Sequence, residues 1–389
     1  MFKRIITRTK TKSFFLFGPR SSGKTTWLRH VYPKKSNLWI DLLDPKTDRL
    51  LRQKPETLAE MIRIAEGDFE YVVIDEIQKN PVLLDVVHGL IFEKKYKFAI
   101  TGSSARKLKR GAANLLAGRA FRFECHPMTH VELGTSFDLD DCLAYGSLPE
   151  VIELSQKDKQ HFLRAYVDTY FKEEVVAEQL VRNLMPFRNF LEVASQSTGK
   201  ILNMNNIAKV VGVDHTTVQN YFSILDDTML GFLLLPYSRS IRKRQRAKSK
   251  FYYFDTGVQR TLTGLIDAPL NPESPEYGTA FEHYIVLEFK RLISYLKPDW
   301  RMSYLMTSDN VEVDLVIERP KMKTVLIEIK STDNILSLNR QKLSGYKKLA
   351  EDFKNSESYV ISRDQTSLME GEIKFIHWSR IFKTVGLIK

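Results

Sequence analysis

The chain has 389 residues, which at about 150 per domain allows two or three domains with proper cores and excludes a small fold stapled by disulfides or metal. Apolar residues make up 43% and charged residues 27%, so wholesale disorder is excluded as well. The formal charge of +12 is unevenly spread: residues 1–35, 101–122 and 239–250 hold 23 basic side chains and no acid, and the remainder is net −11. Such concentration points to polyanion-binding surfaces, for nucleic acid or nucleotide phosphates; the alternative is basic residues clustered for solubility.

Cys125 and Cys142 lack paired metal-ligand spacing and read as free thiols of a reducing compartment, so a cytoplasmic protein is expected. With His126 and His130 nearby, Cys125 reads as structural rather than as part of a zinc site. No apolar run reaches the roughly 18 residues of a membrane helix, and FFLF after the basic start is cut off at Gly18, so neither a signal peptide nor a span is expected.

In chain order, SFFLF, NLWIDLL, YVVIDE and KFAITG are strand candidates of the kind buried on both faces. Between them TTWLRHVY, ETLAEMIRIAEG and NPVLLDVVHGLIFEKK carry helical periodicity, an order that predicts a parallel sheet sandwiched by helices. From Pro127 to Phe190 the pattern is mostly helical, with a turn at Gly146 to Pro149. A second helical stretch runs from Leu191 to Leu235, and the basic run RSIRKRQRAKSK precedes FYYFD. A long helix, AFEHYIVLEFKRLISYL, then leads to the strand candidates MSYLMT, VEVDLVIE and TVLIEIK. The fold class expected is α/β multidomain, divided as 1–126 (nucleotide-binding core), 127–190 (helical extension), 191–256 (winged helix-turn-helix) and 257–389 (α/β C-terminal domain).

GPRSSGKT, between a strand and a helix, fits the phosphate-loop pattern G-x-x-x-x-G-K-[ST]. Gly18 and Gly23 let the backbone curl so that its N–H groups meet phosphate oxygens, and Pro19, Arg20, Ser21, Ser22 and Thr26 complete the cradle. Lys24 brings a mobile charge toward the β and γ phosphates, and the Thr25 hydroxyl can ligate Mg²⁺. YVVIDEIQ ends a buried strand in two acids: Asp75 on that reading holds metal, and Glu76 is the general base. Thr101 or Ser103, at the end of KFAITGS, orients the water or the γ-phosphate. Arg119 either stabilises transition-state charge, in its own subunit or a neighbour's, or caps a helix end.

GPRSSGKT, VIDEIQ, ITGSSA, LLAGR and PMTHVEL together resemble the ATPase core of a large group of bacterial and archaeal AAA+ superfamily proteins. GSLPE, YFDTG, GTAFEHYIVLE and the EVDLVIE…IEIKS pair resemble the later part of that group, where the core is joined to a C-terminal domain of unknown function. The resemblance implies ATP binding and hydrolysis with Mg²⁺, and names no pathway.

NNIAKVVGVDHTTVQNYFSIL places Ala208, Gly212 and Val218 at the small, turn and core positions of a helix-turn-helix, with Asp214 capping the second helix. His215, Thr216, Gln219 and Asn220 then face outward at the start of a recognition helix, and the basic run suits a wing whose Arg242, Lys243, Arg244 and Arg246 contact phosphates. DNA is the expected partner, and a winged helix used for protein contacts is the alternative. Homo-oligomer formation and a protein partner both stay open, and no membrane partner is expected.

In the last third, Glu282 on the long helix, Asp314 on a strand and Glu328-x-Lys330 on the next resemble the PD-(D/E)XK, or restriction-endonuclease-like, nuclease superfamily. That resemblance implies Mg²⁺ or Mn²⁺ held by Glu282, Asp314 and Glu328, with Lys330 stabilising charge on a phosphodiester. Val313 stands where the superfamily's proline would be. LNRQKLSGYKKL, with Gln341 and Tyr346, either tracks DNA or packs as an ordinary helix. Two accounts result: a DNA-associated ATPase coupled to metal-dependent cleavage, or an ATP-driven switch whose later domains only bind nucleic acid or a partner.

Overall fold

Apolar runs unbroken by polar residues form the first sheet, because a sheet covered on both faces has no wet side. Its strands are Ser13–Phe17 (β1), Leu38–Asp41 (β2), Val72–Asp75 (β3), Phe98–Gly102 (β4) and Ala120–Glu124 (β5). Helices Lys24–Val31 (α1), Pro45–Gln53 (α2), Thr57–Ile64 (α3) and Leu83–Phe92 (α4) lie between them in the chain. The computed structural model describes residues 2–65, 69–103, 118–170, 184–238, 248–338 and 343–389, in two compact units. Met1–Met128 form the first, with short returns at Leu148–Glu150 and Ile224–Leu230. All five strands run parallel in the order β2-β3-β4-β1-β5.

Alternate side chains of β1 serve opposite faces. Phe15 and Phe17 join Ile74, Ile100, Leu58, Ile62, Leu84 and Val87 in one core. Phe14 packs on Trp27, Tyr32, Tyr71 and Phe123 in an aromatic layer on the other. Two elements escape the apolar-run reading. Helix α2 is mostly polar and is set by its start, where Asp44 caps the Lys46 and Thr47 amides and Pro45 follows. Strand β5 is half-exposed at the edge of the sheet, so its sequence lacks a continuous apolar run.

The second unit holds Thr129–Ser147, Val151–Ser223 and Gly231–Lys389. Its helices are Leu139–Tyr145 (α5), Gln156–Tyr170 (α6), Leu184–Gln196 (α7), Met204–Val211 (α8), His215–Asp227 (α9), Thr256–Leu262 (α10), Pro275–Leu296 (α11) and Ser344–Asp352 (α12). Strands Gly231–Leu234 (β6) and Lys250–Tyr253 (β7) pair antiparallel, and single bridges join Thr198 to Phe251 and Ile201 to Lys250. Phe187, Phe190, Tyr221, Phe222 and Phe251 interlock beneath them.

A six-stranded sheet completes this unit: Arg301–Met306 (β8), Glu312–Glu318 (β9), Thr324–Ile329 (β10), Ser356–Ser362 (β11), Leu368–Glu370 (β12) and Ile373–His377 (β13), ordered β12-β13-β11-β10-β9-β8. The meander β8-β9-β10 is antiparallel, whereas β10 and β11 run parallel with α12 between them in the chain, as a parallel connection requires. Tyr346 of α12 is buried against Val313, Leu326 and Val360, and its hydroxyl donates to the Leu326 and Tyr359 carbonyls. The DNA-tracking reading of this helix therefore fails at Tyr346, which serves the core; Gln341 lies outside the described residues.

A nucleotide-type site and a lysine-filled acidic cluster

In a parallel sheet, loops that leave the carboxyl ends of adjacent strands gather at one edge, and β1, β3 and β4 do so here. Gly18 to Gly23 bridge β1 and α1. The loop's left-handed positions are Ser21 (φ 58°) and Gly23 (φ 89°). Gly18 is needed for a different reason: a Cβ there would lie 2.1 Å from the Cys125 carbonyl oxygen. The Ser22 carbonyl accepts from the Cys125 thiol (3.2 Å) and from Arg4 (3.0 Å), which also donates to the His126 carbonyl at 2.5 Å. Neither Cys125 nor Arg4 has a motif to announce it, since both act through chain segments remote from the loop.

Lys24 is 5% exposed, and its ammonium donates to the Gly18 and Pro19 carbonyls, each at 2.9 Å. The Thr25 hydroxyl donates to Asp75 Oδ1 at 3.2 Å. Thr101 ties the two acids together: its hydroxyl donates to Asp75 Oδ1 and accepts from the Glu76 amide at 2.9 Å. Burial pushes the Asp75 carboxyl above the ordinary range, with the Thr101 hydrogen bond opposing it, and Asp75 Oδ2 is buried without a protein partner. Glu76 is in the left-handed region (φ 62°), a backbone outlier of the kind that clusters at functional sites. Gln78, whose role the sequence did not disclose, donates from one amide nitrogen to Glu76 and to Ser103, the latter at 2.9 Å.

Arg20 and Thr26 are exposed beside the loop. Arg119 stands before β5 with its guanidinium 5.5 Å from the Phe92 ring and against His88, so it engages α4 and is not among the groups gathered at the loop. Residues 104–117, with most of the SSARKLKR and LLAGR segments, lie outside the described residues.

In the second unit, Gly212 (φ 76°) ends α8, and Asp214 accepts from the Thr217 amide (2.9 Å) and hydroxyl (2.6 Å), bonds that hold its carboxyl below the ordinary range. Val218 is buried, whereas His215, Thr216, Gln219 and Asn220 are exposed. Beside them is a groove of about 480 Å³ lined by Asn203, Met204, Asn205, His215, Gln219 and Lys248 among others. Arg242, Lys243, Arg244 and Arg246 lie outside the described residues.

The acids and Lys330 named in the last third do come into one neighbourhood, but not as a metal site. The register that pairs Ile327 with Leu315 sets Glu328 opposite Asp314, whose Oδ2 accepts from the Ile329 amide at 2.7 Å. Burial pushes both groups above the ordinary range, reinforced at Asp314 by Glu328 and Glu282 and opposed at Glu328 by Lys330. Lys330 donates to Glu328 at 2.5 Å. A residue absent from the sequence-based set, Lys250 at the start of β7, pairs with Glu282 (3.3 Å) and Glu312. Burial disfavours its charge, but Glu282, Asp314 and Glu312 outweigh burial and hold the ammonium's pKa above its usual value. The Tyr252 hydroxyl donates to Glu282 at 2.7 Å. Among the described residues no three His, Cys, Asp or Glu side chains are grouped so as to hold a metal ion.

No helix among the described residues is long and apolar enough to cross a membrane. Residues 10–134 match the model of an AAA domain family, and residues 136–268 and 277–381 match two domains of unknown function (DUF8612 and DUF4143). Uncharacterized proteins of Mycobacterium bovis and Mycobacterium tuberculosis are each 26% identical to the chain over 305 residues, 78% of it and 67% of the relative. One of Methanocaldococcus jannaschii is 22% identical over 367 residues, 87% of this chain and 79% of that one. Among solved structures, the Aeropyrum pernix Orc1 protein in complex with DNA aligns at TM-score 0.34 with 11% identity, covering 66% of this chain and 87% of that one, too slight a likeness to carry an argument. The family match and the parallel sheet with its glycine loop agree that the first unit contains an AAA-type P-loop ATPase core.

Proposed function

We propose that the chain binds and hydrolyses ATP at the P-loop of its first unit and associates with DNA through the helix-turn-helix of its second. The observation that carries the nucleotide reading is the convergence of Thr25 and Thr101 on Asp75, whose second carboxylate oxygen is buried and unpartnered. Mg²⁺ fits that donor set, a hard carboxylate oxygen beside a hydroxyl, and when bound it supplies neutralisation of charge on the phosphates. Gly18 to Thr26 bind the triphosphate through amides and through Lys24, which exchanges two neutral carbonyl acceptors for phosphate oxygens. Glu76 accepts the proton of the attacking water, and Gln78 with Ser103 fixes the direction of its carboxylate. Glu76→Gln should cut ATP turnover by about a hundredfold or more while nucleotide still binds. Unchanged turnover in that variant would overturn the assignment.

The DNA reading rests on exposed His215, Thr216, Gln219 and Asn220 at the start of α9 and on the β6-β7 ribbon that follows, the order of elements in a winged helix. Its test is duplex DNA binding by the full chain across a salt series: affinity that falls steeply with salt supports it, and no affinity at about 50 mM salt turns the surface over to a protein partner.

The run α11, β8-β9-β10, α12, β11 supports a restriction-endonuclease-like reading of the last domain. Lys250 engages Glu282 and Glu312, Lys330 engages Glu328, and no three acids among the described residues are grouped so as to hold a metal ion, so no cleavage step is derived. This favours a switch whose later domains bind without cutting.

A further inference from the structure

Four carboxylates and two ammonium groups cluster in the second unit, Asp314 and Glu328 buried, Glu282 and Glu312 half-buried. Glu282 comes from α11, Glu312 and Asp314 from β9, Glu328 from β10, and the cations are Lys330 and Lys250. Like charges so placed repel, and an uncompensated buried carboxylate costs several kcal/mol as an order of magnitude. Asp314 and Glu328 are each 9% exposed, and Glu328 Oε2 is buried with no partner. Something positive must sit here for the carboxylates to stay ionised.

Lys330 is an incomplete answer: its side chain is 33% exposed and it contacts Glu328. Lys250 is the buried cation, with a side chain only 4% exposed and ion pairs to both Glu282 and Glu312. Its backbone is fixed twice, by antiparallel pairing of Lys250 with Leu234 and by the bridge to Ile201. Its ammonium also lies 5.6 Å from the centre of the Tyr304 ring, whose hydroxyl donates to the Lys248 carbonyl at 2.5 Å. The ammonium is therefore delivered by a braced strand rather than by a mobile surface arm.

We infer that Lys250 is the resident cation of this acidic cluster, occupying with its ammonium the space between Glu282 and Glu312 and so excluding a divalent metal from the site. One monovalent, hydrogen-bonding charge bridges Glu282 and Glu312 without regard to metal supply, and with Lys330 it offsets two of the four carboxylate charges. The cost is Lewis acidity: an ammonium cannot lower the pKa of a bound water or bridge phosphate oxygens as Mg²⁺ does. Removing it leaves the Glu282 and Glu312 carboxylates, hard oxygen donors of the kind Mg²⁺ and Mn²⁺ take, without the cation that lies between them. The inference stands independently of ATP hydrolysis in the first unit.

The test is Mn²⁺ binding to the nucleotide-free full chain, read as loss of the free Mn²⁺ electron paramagnetic resonance signal. Wild-type protein and Lys250→Arg should show no site tighter than about 1 mM, the weak end of oxygen-ligand cation sites. Lys250→Met should gain one site at least tenfold tighter, and Glu282→Gln in that background should remove it. A tight site in the wild type that Glu282→Gln or Asp314→Asn abolishes overturns the inference, as does a folded Lys250→Met protein that gains none. If Lys250→Met is unfolded in metal-free buffer, recovery of its near-ultraviolet circular dichroism on adding Mn²⁺ supports the inference, and failure to recover overturns it.

Discussion

Lys24 and Lys250 are both buried, at 5% and 3% exposure, yet they are chemically opposite. Lys24 donates to two neutral carbonyls of its own loop, so its charge is uncompensated by those partners and remains available to an anion. Lys250 is committed to Glu282 and Glu312, and its charge is spent inside the protein. The same contrast separates the acids. Asp75 and Glu328 each keep one carboxylate oxygen unpartnered, but Asp75 lies among hydroxyls at the edge of a parallel sheet, whereas Glu328 faces Asp314 across an antiparallel pair and is bonded to Lys330. Chemistry needs uncommitted charge, and the first unit has it.

The largest effect that would sharpen this contrast is on turnover. Lys24→Ala should lower ATP hydrolysis by about a thousandfold, whereas Lys330→Ala should leave it within about twofold, both read by phosphate release. Comparable losses in the two variants would erase the distinction between the units. Gly18→Ala comes next: the added methyl meets the Cys125 carbonyl, and thermal unfolding should show a loss of about 3 kcal/mol or more.

Beside the acidic cluster, His283 of α11 is buried and its ring nitrogen Nε2 bonds the Tyr253 carbonyl at 2.7 Å. Burial pushes its pKa down to about 4, with the nearby Arg291 charge acting in the same direction. The unfolded chain, with an ordinary histidine near 6.5, therefore takes up the proton first. The stability contributed by neutral His283 is complete above about pH 6.5 and is lost as pH falls toward 4, by roughly 3 kcal/mol in all. Denaturant titrations at pH 7 and pH 4.5 should show this loss, and His283→Gln should flatten it. A smaller change is expected at the helix-turn-helix. Asp214→Ala should cost about 1 kcal/mol through the lost cap. Gln219→Ala should weaken DNA binding by about tenfold with the salt slope unchanged, because an uncharged contact releases no counterion.

Much of the first unit was legible. Continuous apolar runs specify doubly covered strands, and a phosphate loop is built from adjacent residues, so Gly23, Lys24 and Thr25 could be named with their roles. The polar start of α2 and the half-exposed β5 were less legible, because a cap and an edge carry no apolar run. Gln78, Cys125 and Arg4 were missed because each acts on a partner that only folding brings near. In the second unit, the exposed face of α9 followed from helical periodicity around Val218. Strand alternation put Glu328 and Lys330 on one face and the nuclease resemblance added Glu282 and Asp314, but the surroundings of these groups depended on Lys250, which is 32 residues before Glu282 and 62 before Glu312 in the chain.

Local pattern alone determined the doubly covered strands of the first unit, where loop amides are presented and which face of α9 is wet, since each depends on residues within a few positions of one another. Tertiary structure alone decided which charges are neutralised. Coulomb energy depends on separation in space and on burial, and neither is a function of distance along the chain.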